Sequence, residues 1–304
     1  MIKFYPSTFI YSSMIIFSLM IILSSNNWFY SWIGMEFALF GFLPLFSANS
    51  LTTEGIFKYF LMQAMGSMMF IMSFLMMENT TSIFILSMMM KLGLFPFYQW
   101  MPMVMNSLSW NGCMLLTTMQ KIGPLMILSL FQQSSHILYL MTTSILISSI
   151  MGINQSLMRY LMAYSSIAHT SWIILAMKFN MMLSLIYISF YFFFTIYLFK
   201  SFENSKVENV ISSKDKMKNI VLQCSIMIML TGIPPFFMFF MKAFIILMMI
   251  NFPILVFLLI IGSMISTFYY LTFSIPKLLS KKLMSFEYYI KFLMINFISM
   301  LFIL

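Results

Sequence analysis

The sequence predicts an all-α polytopic membrane protein: about eleven transmembrane helices, two of them broken, in an inverted five-helix repeat plus a terminal helix. Three observations carry this. Of 304 residues, 62% are hydrophobic and 8% charged, whereas a soluble domain carries roughly 25% charged residues. So little charge does not cover a water-facing surface, and the mean hydropathy is +0.98. The apolar residues fall in long unbroken runs such as 236–250 and 252–267, not in the alternation of a barrel strand. Backbone groups in lipid must be paired internally, so runs of this kind mean helices. Third, two of the runs are overlong and interrupted by Gly and Pro.

About 20 apolar residues cross a bilayer. The predicted spans are 7–23, 28–46, 56–77, 82–108, 111–131, 137–152, 157–177, 181–199, 218–249, 252–273 and 288–304. The first follows Lys3, as a signal peptide's apolar region would. The polar Ser24-Ser25-Asn26-Asn27 behind it has no small-x-small cleavage pattern, so it is read as a permanent span. The fourth contains Lys91-Leu92-Gly93-Leu94-Phe95-Pro96 with Pro102 beyond, and the ninth contains Thr231-Gly232-Ile233-Pro234-Pro235. Proline removes a helix donor and clashes with the previous turn. Each is a broken helix, two short helices or a re-entrant pair.

Loop charge selects single crossings. It places Lys3, Lys58, Arg159, Lys200, Lys206, Lys214, Lys216, Lys218, Lys277, Lys281 and Lys282 on the side of the N-terminus, leaving little beyond Lys178 opposite. The two breaks lie five spans apart, so a second copy of a five-span unit enters from the opposite face. The chain is therefore read as one membrane domain, 1–304, with repeat halves 7–131 and 137–273 and a terminal helix 288–304. Matching breaks in inverted halves point to a midplane transport site.

The net charge is +9, but its basic residues lie between apolar runs, which excludes nucleic acid as a partner. Cys113 and Cys224 have no metal or redox spacing and read as small buried hydrophobes. Met occurs 38 times and Phe 36 times while Ala is scarce. An AT-rich gene in which ATA is read as Met produces this bias, the habit of many animal mitochondrial genomes, and it fits the lack of a targeting segment.

Five ionisable residues lie inside spans: Glu36, Lys91, Lys121, His169 and Lys242. Counting about 1.5 Å per residue from the span ends puts them about 12–18 Å deep, in a core about 30 Å thick. Each costs roughly 2.5–3.5 kcal/mol or more there. One carboxylate does not pair three lysines, so a cationic cavity or chain of titrating sites fits better than structural ion pairs. Ser165, Ser166, Thr117 and Thr118 are candidates to hold water between them. Lys58, at a span end, reads as an interfacial anchor.

These residues stand in ordered motifs. Asn26-Asn27-Trp28 and Trp32-Ile33-Gly34-Met35-Glu36 come first. Lys58-Tyr59-Phe60-Leu61 with Gln63, then Lys91-Leu92-Gly93 with Pro96-Phe97 and Trp100, follow. Gln120-Lys121-Ile122-Gly123-Pro124 precedes Asn154-Gln155, Arg159 and Ala163-Tyr164-Ser165-Ser166-Ile167 before His169. Gly232-Ile233-Pro234-Pro235 leads to Lys242. In this set and order the chain resembles the mitochondrial NADH-ubiquinone oxidoreductase chain 2 family, antiporter-like membrane subunits of respiratory complex I. It departs from the family's pattern at Tyr98, Met103, Tyr160 and Ala243, and in the Met and Phe residues before Lys242. Its last sixty residues match only in hydropathy.

The resemblance implies a shortened, eleven-span member in the mitochondrial inner membrane, with the N-terminus and basic loops on the matrix side. It implies proton translocation through Glu36, Lys91, Lys121, His169 and Lys242, coupled to NADH-to-ubiquinone electron transfer elsewhere in the complex. FMN, iron–sulfur clusters and ubiquinone are expected in partner subunits and no cofactor in this chain. The expected partners are other complex I membrane-arm and accessory subunits and lipids such as cardiolipin, with no soluble substrate bound directly. A free-standing cation/proton antiporter and a structural membrane-arm scaffold are the alternatives.

Overall fold

A computed structural model describes residues 6–25, 27–45, 50–75, 80–130, 136–205, 217–234 and 236–280. The expected terminal helix 288–304, Lys3, Asn26, Lys206, Lys214, Lys216, Pro235, Lys281 and Lys282 lie outside the described residues. The chain divides into two compact units, Met1–Leu140 and Met141–Leu304.

The first unit holds α1 (Pro6–Ser24), α2 (Trp28–Phe42), a 3-10 turn (Leu43–Leu45), α3 (Ser50–Leu75), α4 (Thr80–Leu92), α5 (Trp100–Ser107), α6 (Trp110–Thr117) and α7 (Met119–Ser129). The division falls in α8 (His136–Ile153). The second unit continues with α9 (Met158–Phe179), α10 (Met181–Ser205), α11 (Met217–Thr231), α12 (Phe237–Met248) and α13 (Pro253–Ser280). Four helical stretches among the described residues are long and apolar enough to cross a membrane: Thr53–Leu75, His136–Ile153, Met181–Ser205 and Pro253–Ser274. Shorter apolar helices include Thr81–Leu92, Ile220–Thr231 and Phe237–Met248, which meet the breaks.

The polarity of the packing is inverted relative to a soluble protein. Ile16, Phe17, Met20, Met68 and Ile254 lie exposed, while Lys91, Lys121, His169 and Lys242 are buried. In water such apolar faces invite association; in lipid they are the solvated surface. Hydroxyls inside the helices are satisfied locally. Ser18, Ser73 and Ser87 donate to carbonyls three residues back, as lipid depth requires.

In the first unit α1 packs on α2, and α3 lies along α4. Gly66 permits the second approach: a Cβ there would sit 2.9 Å from Lys91 Cγ and 3.3 Å from the Ser87 carbonyl oxygen. In the second unit α9 is the most enclosed helix, buried on nearly every side from Leu161 to Met177. It packs against α10 and α12, while α11 lies between α10 and α13.

The overlong runs are broken where Gly and Pro predict. Helix α4 stops at Leu92, and Gly93 takes a left-handed φ of 68°. Gly93 N donates to the Met90 carbonyl at 3.3 Å and Leu94 N to the Met89 carbonyl at 3.0 Å, the paired bonds of a Schellman end. Helix α11 ends at Thr231 before Gly232, whose φ is 78°. A third interruption corrects the expected continuous span 111–131. Helix α6 ends at Thr117, Thr118 has φ −113° and ψ −83°, and α7 begins at Met119. Pro124, inside α7, lacks the N–H that would bond the Gln120 carbonyl and crowds the preceding turn. The Thr117 and Thr118 hydroxyls both donate to α6 carbonyls, closing that helix.

Gly93→Ala is expected to destabilise the fold. The left-handed backbone alone costs a side-chain-bearing residue about 1–2 kcal/mol, and a Cβ would meet the Trp100 ring at 3.2 Å. A lower thermal midpoint and less assembled protein on native gels check this, with Gly93→Asn milder because Asn tolerates that conformation.

Candidate functional site

Lys91 lies in the last turn of α4, where exposed carbonyl dipoles favour a cation. Its own carbonyl and that of Met90 are taken by uncharged donors. Trp100 Nε1 of α5 donates to the Met90 carbonyl at 3.1 Å, and Gln63 Nε2 of α3 donates to the Lys91 carbonyl at 3.0 Å. The ammonium faces Glu36 of α2, with Nζ 3.8 Å from Oε1. The lysine side chain is 2% exposed and the glutamate 20%. Glu36 Oε1 makes no hydrogen bond, so the two are held by charge at a separation longer than a hydrogen bond. Tyr59 is within electrostatic reach of Glu36.

A small cavity adjoins this pair. It is lined by Tyr59, Gln63 and Lys91, by Ala38 of α2, and by Gln120, Gly123 and Pro124 of α7. It leaves about 20 Å³ for the centres of water molecules, enough for a water. Gln120 Nε2 donates to the Ala38 carbonyl at 3.1 Å, tying α7 to α2. Lys121, the next residue, is buried in the first turn of α7. Lys91 and Lys121 thus occupy opposite kinds of helix end, one electronegative and one electropositive.

A larger cleft of about 310 Å³ is lined by Lys58, Pro96, Phe97, Trp100 and Met103. Trp100 lines this cleft and Tyr59 lines the Lys91 cavity; their ring centroids are 5.9 Å apart. Lys58 itself is 43% exposed and pairs with Glu54 at 3.5 Å.

In the second unit, Lys242 lies across the break between α11 and α12. Its Nζ donates to the Thr231 carbonyl at 2.7 Å, so the lysine closes the helix end that Gln63 and Trp100 close in the first unit. Gly232 leaves room for it: a Cβ would lie 3.2 Å from Lys242 Cδ and Nζ. The ammonium also stands 5.9 Å from the Trp172 ring centroid, near the limit for a cation–π contact. Trp172 is three residues after His169 on α9, and so on the same side. His169 Nδ1 is 3.0 Å from the Tyr187 hydroxyl, and its ring is 5.1 Å from that of Tyr191.

The structure therefore brings Glu36 and Lys91 together, puts Gln120, next to Lys121, in the wall of their cavity, and sets the Lys242 ammonium of α12 near Trp172, one turn from His169 on α9. Ser165 and Ser166, like Thr117 and Thr118, donate within their own helix, and only their oxygens are left to accept. Cys113 and Cys224 are buried, and their thiols donate to the Met105 and Ser274 carbonyls. No cluster of three or more His, Cys, Asp or Glu side chains among the described residues could hold a metal ion. Sequence reasoning missed the roles of Gln63, Gln120, Trp100, Tyr59 and Tyr187. The glutamines carried a signal, since an amide at membrane depth needs a partner as a charge does. The aromatics did not stand out among 36 Phe and 15 Tyr.

Comparison with known proteins identifies the family and the fold. Residues 80–268 match the family described as NADH:quinone oxidoreductase/Mrp antiporter, transmembrane. NADH-ubiquinone oxidoreductase chain 2 of Anopheles gambiae is 36% identical over 252 residues, 77% of this chain and 74% of the relative. That of Lumbricus terrestris is 32% identical over 299 residues, 90% of this chain and 87% of the relative. Among solved structures, a chain of respiratory complex I from Thermus thermophilus with bound aureothin superposes with a TM-score of 0.80 at 18% identity. That match covers 89% of this chain and 70% of the other. A chain of the Mrp complex from a Dietzia species gives 0.77 at 12% identity, covering 86% and 58%. At these identities the structural matches speak for the fold, a multi-pass antiporter-like bundle. With a family match over most of its length and relatives above 30% identity covered for more than two thirds, the chain belongs to the NADH-ubiquinone oxidoreductase chain 2 family.

Proposed function

We propose that the chain is a core membrane-arm subunit of respiratory complex I in the mitochondrial inner membrane. In this reading it couples NADH-to-ubiquinone electron transfer in partner subunits to proton translocation through Glu36, Lys91, Lys121, His169 and Lys242. The redox groups (FMN, iron–sulfur clusters and ubiquinone) belong to those partners. The N-terminus and basic loops face the matrix, in line with the loop-charge asymmetry, and acidic lipids such as cardiolipin meet the basic loops. The two breaks belong to inverted halves 7–131 and 137–273; a left-handed glycine and a nearby lysine at each break support this.

The observation that carries the reading is the Glu36–Lys91 pair. At 3.8 Å and an effective dielectric of 20, its gross Coulomb energy is about 4 kcal/mol. One charge moved against 100 mV takes about 2.3 kcal/mol, so making or breaking the pair is of the same order as one proton crossing. Protonating Glu36 releases the Lys91 ammonium from its counter-charge. The freed charge then acts toward Lys121, whose neighbour Gln120 walls the cavity beside Lys91, and in this reading the lysines titrate as a coupled set. In the second unit, the residues of the proposed relay are Lys242 and His169, beside and on α9.

A free-standing cation/proton antiporter is the second reading, favoured by the fold it shares with the Mrp complex chain. It requires ion transport by the isolated chain in vesicles. The scaffold reading requires full pumping after the lysines are neutralised.

Two substitutions in an assembled complex test the proposal. Lys121→Met is expected to lower protons pumped per electron by half or more; unchanged pumping and turnover would remove the relay role. If about 1.4 kcal/mol of the pair energy reaches the proton-transfer step, Glu36→Gln slows coupled turnover about tenfold. Normal turnover with Glu36→Gln sinks the switch.

A further inference from the structure

The second unit buries four tyrosines that the charged series does not use, two of them against His169. Tyr187 and Tyr191 lie one turn apart on α10, and Tyr269 and Tyr270 are neighbours on α13. Each is at most 2% exposed. Tyr187 bonds His169, Tyr191 lies against the His169 ring, and the Tyr269 and Tyr270 ring centroids are 4.6 Å apart. Tyr270 is within electrostatic range of both Tyr187 and Tyr191, and Tyr269 of Tyr191. The Tyr191 and Tyr270 hydroxyls are fully enclosed and make no hydrogen bond of acceptable geometry. Beside them stand Ser166 and Ser165. Both serines spend their protons on α9 carbonyls and so present oxygen acceptors.

Packing does not account for this set. An enclosed hydroxyl left without a well-formed hydrogen bond costs up to about 1–3 kcal/mol. Phenylalanine fills nearly the same space at no such cost, and the chain uses 36 of them against 15 Tyr. Two enclosed hydroxyls without a well-formed hydrogen bond, the two acceptor serines beside them and an imidazole bonded to Tyr187 form, within one bundle, a site for hydrogen-bonded water or for a proton in transit.

We propose that Tyr191 and Tyr270, with Ser165, Ser166 and the His169–Tyr187 pair, form an uncharged relay that carries protons between α9, α10 and α13. It rests on the proton-translocation reading above. A proton arriving on a hydroxyl oxygen makes one O–H bond as the hydroxyl's own proton leaves for the next oxygen. Each tyrosine ends neutral and no electron moves. At His169 a proton taken up at one ring nitrogen leaves from the other. A neutral chain of this kind avoids placing a further permanent charge at membrane depth.

The test uses assembled complex I whose chain 2 carries these side chains, with Tyr191→Phe and Tyr270→Phe made singly and together and Lys121→Met as reference. NADH oxidation by an artificial acceptor and native gels confirm assembly. Protons pumped per electron and the turnover ratio in H₂O and D₂O are then measured. The double variant is expected to lose at least half of its pumping per electron and to show a larger solvent isotope effect, which lost packing alone would not produce. Wild-type pumping and isotope ratio in the double variant, with Lys121→Met impaired, overturn the relay alone. If Lys121→Met is unimpaired as well, the proton-translocation reading falls with it. Should the double variant fail to assemble, the single variants decide by the same criteria.

Discussion

Every carbonyl released where a helix stops inside a membrane must find a donor within the chain, because lipid offers none. The ends of α4 and α11 meet that demand in two ways. At α4, Gly93 and Leu94 turn their amides back, while Trp100 and Gln63 reach in from α5 and α3. At α11, the Lys242 ammonium donates to the Thr231 carbonyl. The donors sit on different helices, so closing a helix end also locks those helices together. The breaks are among the most tightly specified places in each unit, although their backbone is irregular.

The same demand ties the charges to the breaks. Lys91 occupies the carbonyl end of α4, where a cation is favoured. Its own carbonyl and that of Met90 are already satisfied, so its head group is left to Glu36. The pair is long and Glu36 Oε1 has no hydrogen bond; it is held by field more than by geometry. Such a pair responds to a charge arriving nearby, whereas a fully hydrogen-bonded buried pair is costly to part. Gln120 connects that locality to α7 by binding the Ala38 carbonyl, so the turn bearing Lys121 is fixed relative to Glu36's helix.

Much of this was legible in the residues. Gly93 with Pro96, and Gly232 with Pro234, marked both breaks, because only glycine takes a positive φ at no steric cost and proline cannot continue a helix. The five charges were conspicuous against an apolar background. The interruption at Thr118 was not anticipated. Pro124 signalled it, but a proline that far along an apolar run reads as a kink until the neighbouring turn is seen to end. The tyrosines around His169 were silent. A Tyr in an aromatic-rich helix has the same hydropathy whether its hydroxyl faces lipid headgroups or the bundle interior.

By itself the sequence determined that the chain lives in lipid as helices, where two of them break, and which charges are too costly to be incidental. Those are local matters of composition, hydrogen-bond supply and backbone freedom. Only the tertiary structure decided that Lys91 meets Glu36, that Gln63 and Trp100 leave it free to do so, and that Lys242 bonds the helix end it lies beside. It also decided that Tyr187 and Tyr191 meet His169, with Tyr270 within reach of both. These are contacts between helices far apart in the chain, and hydropathy is blind to which face of one helix meets which face of another.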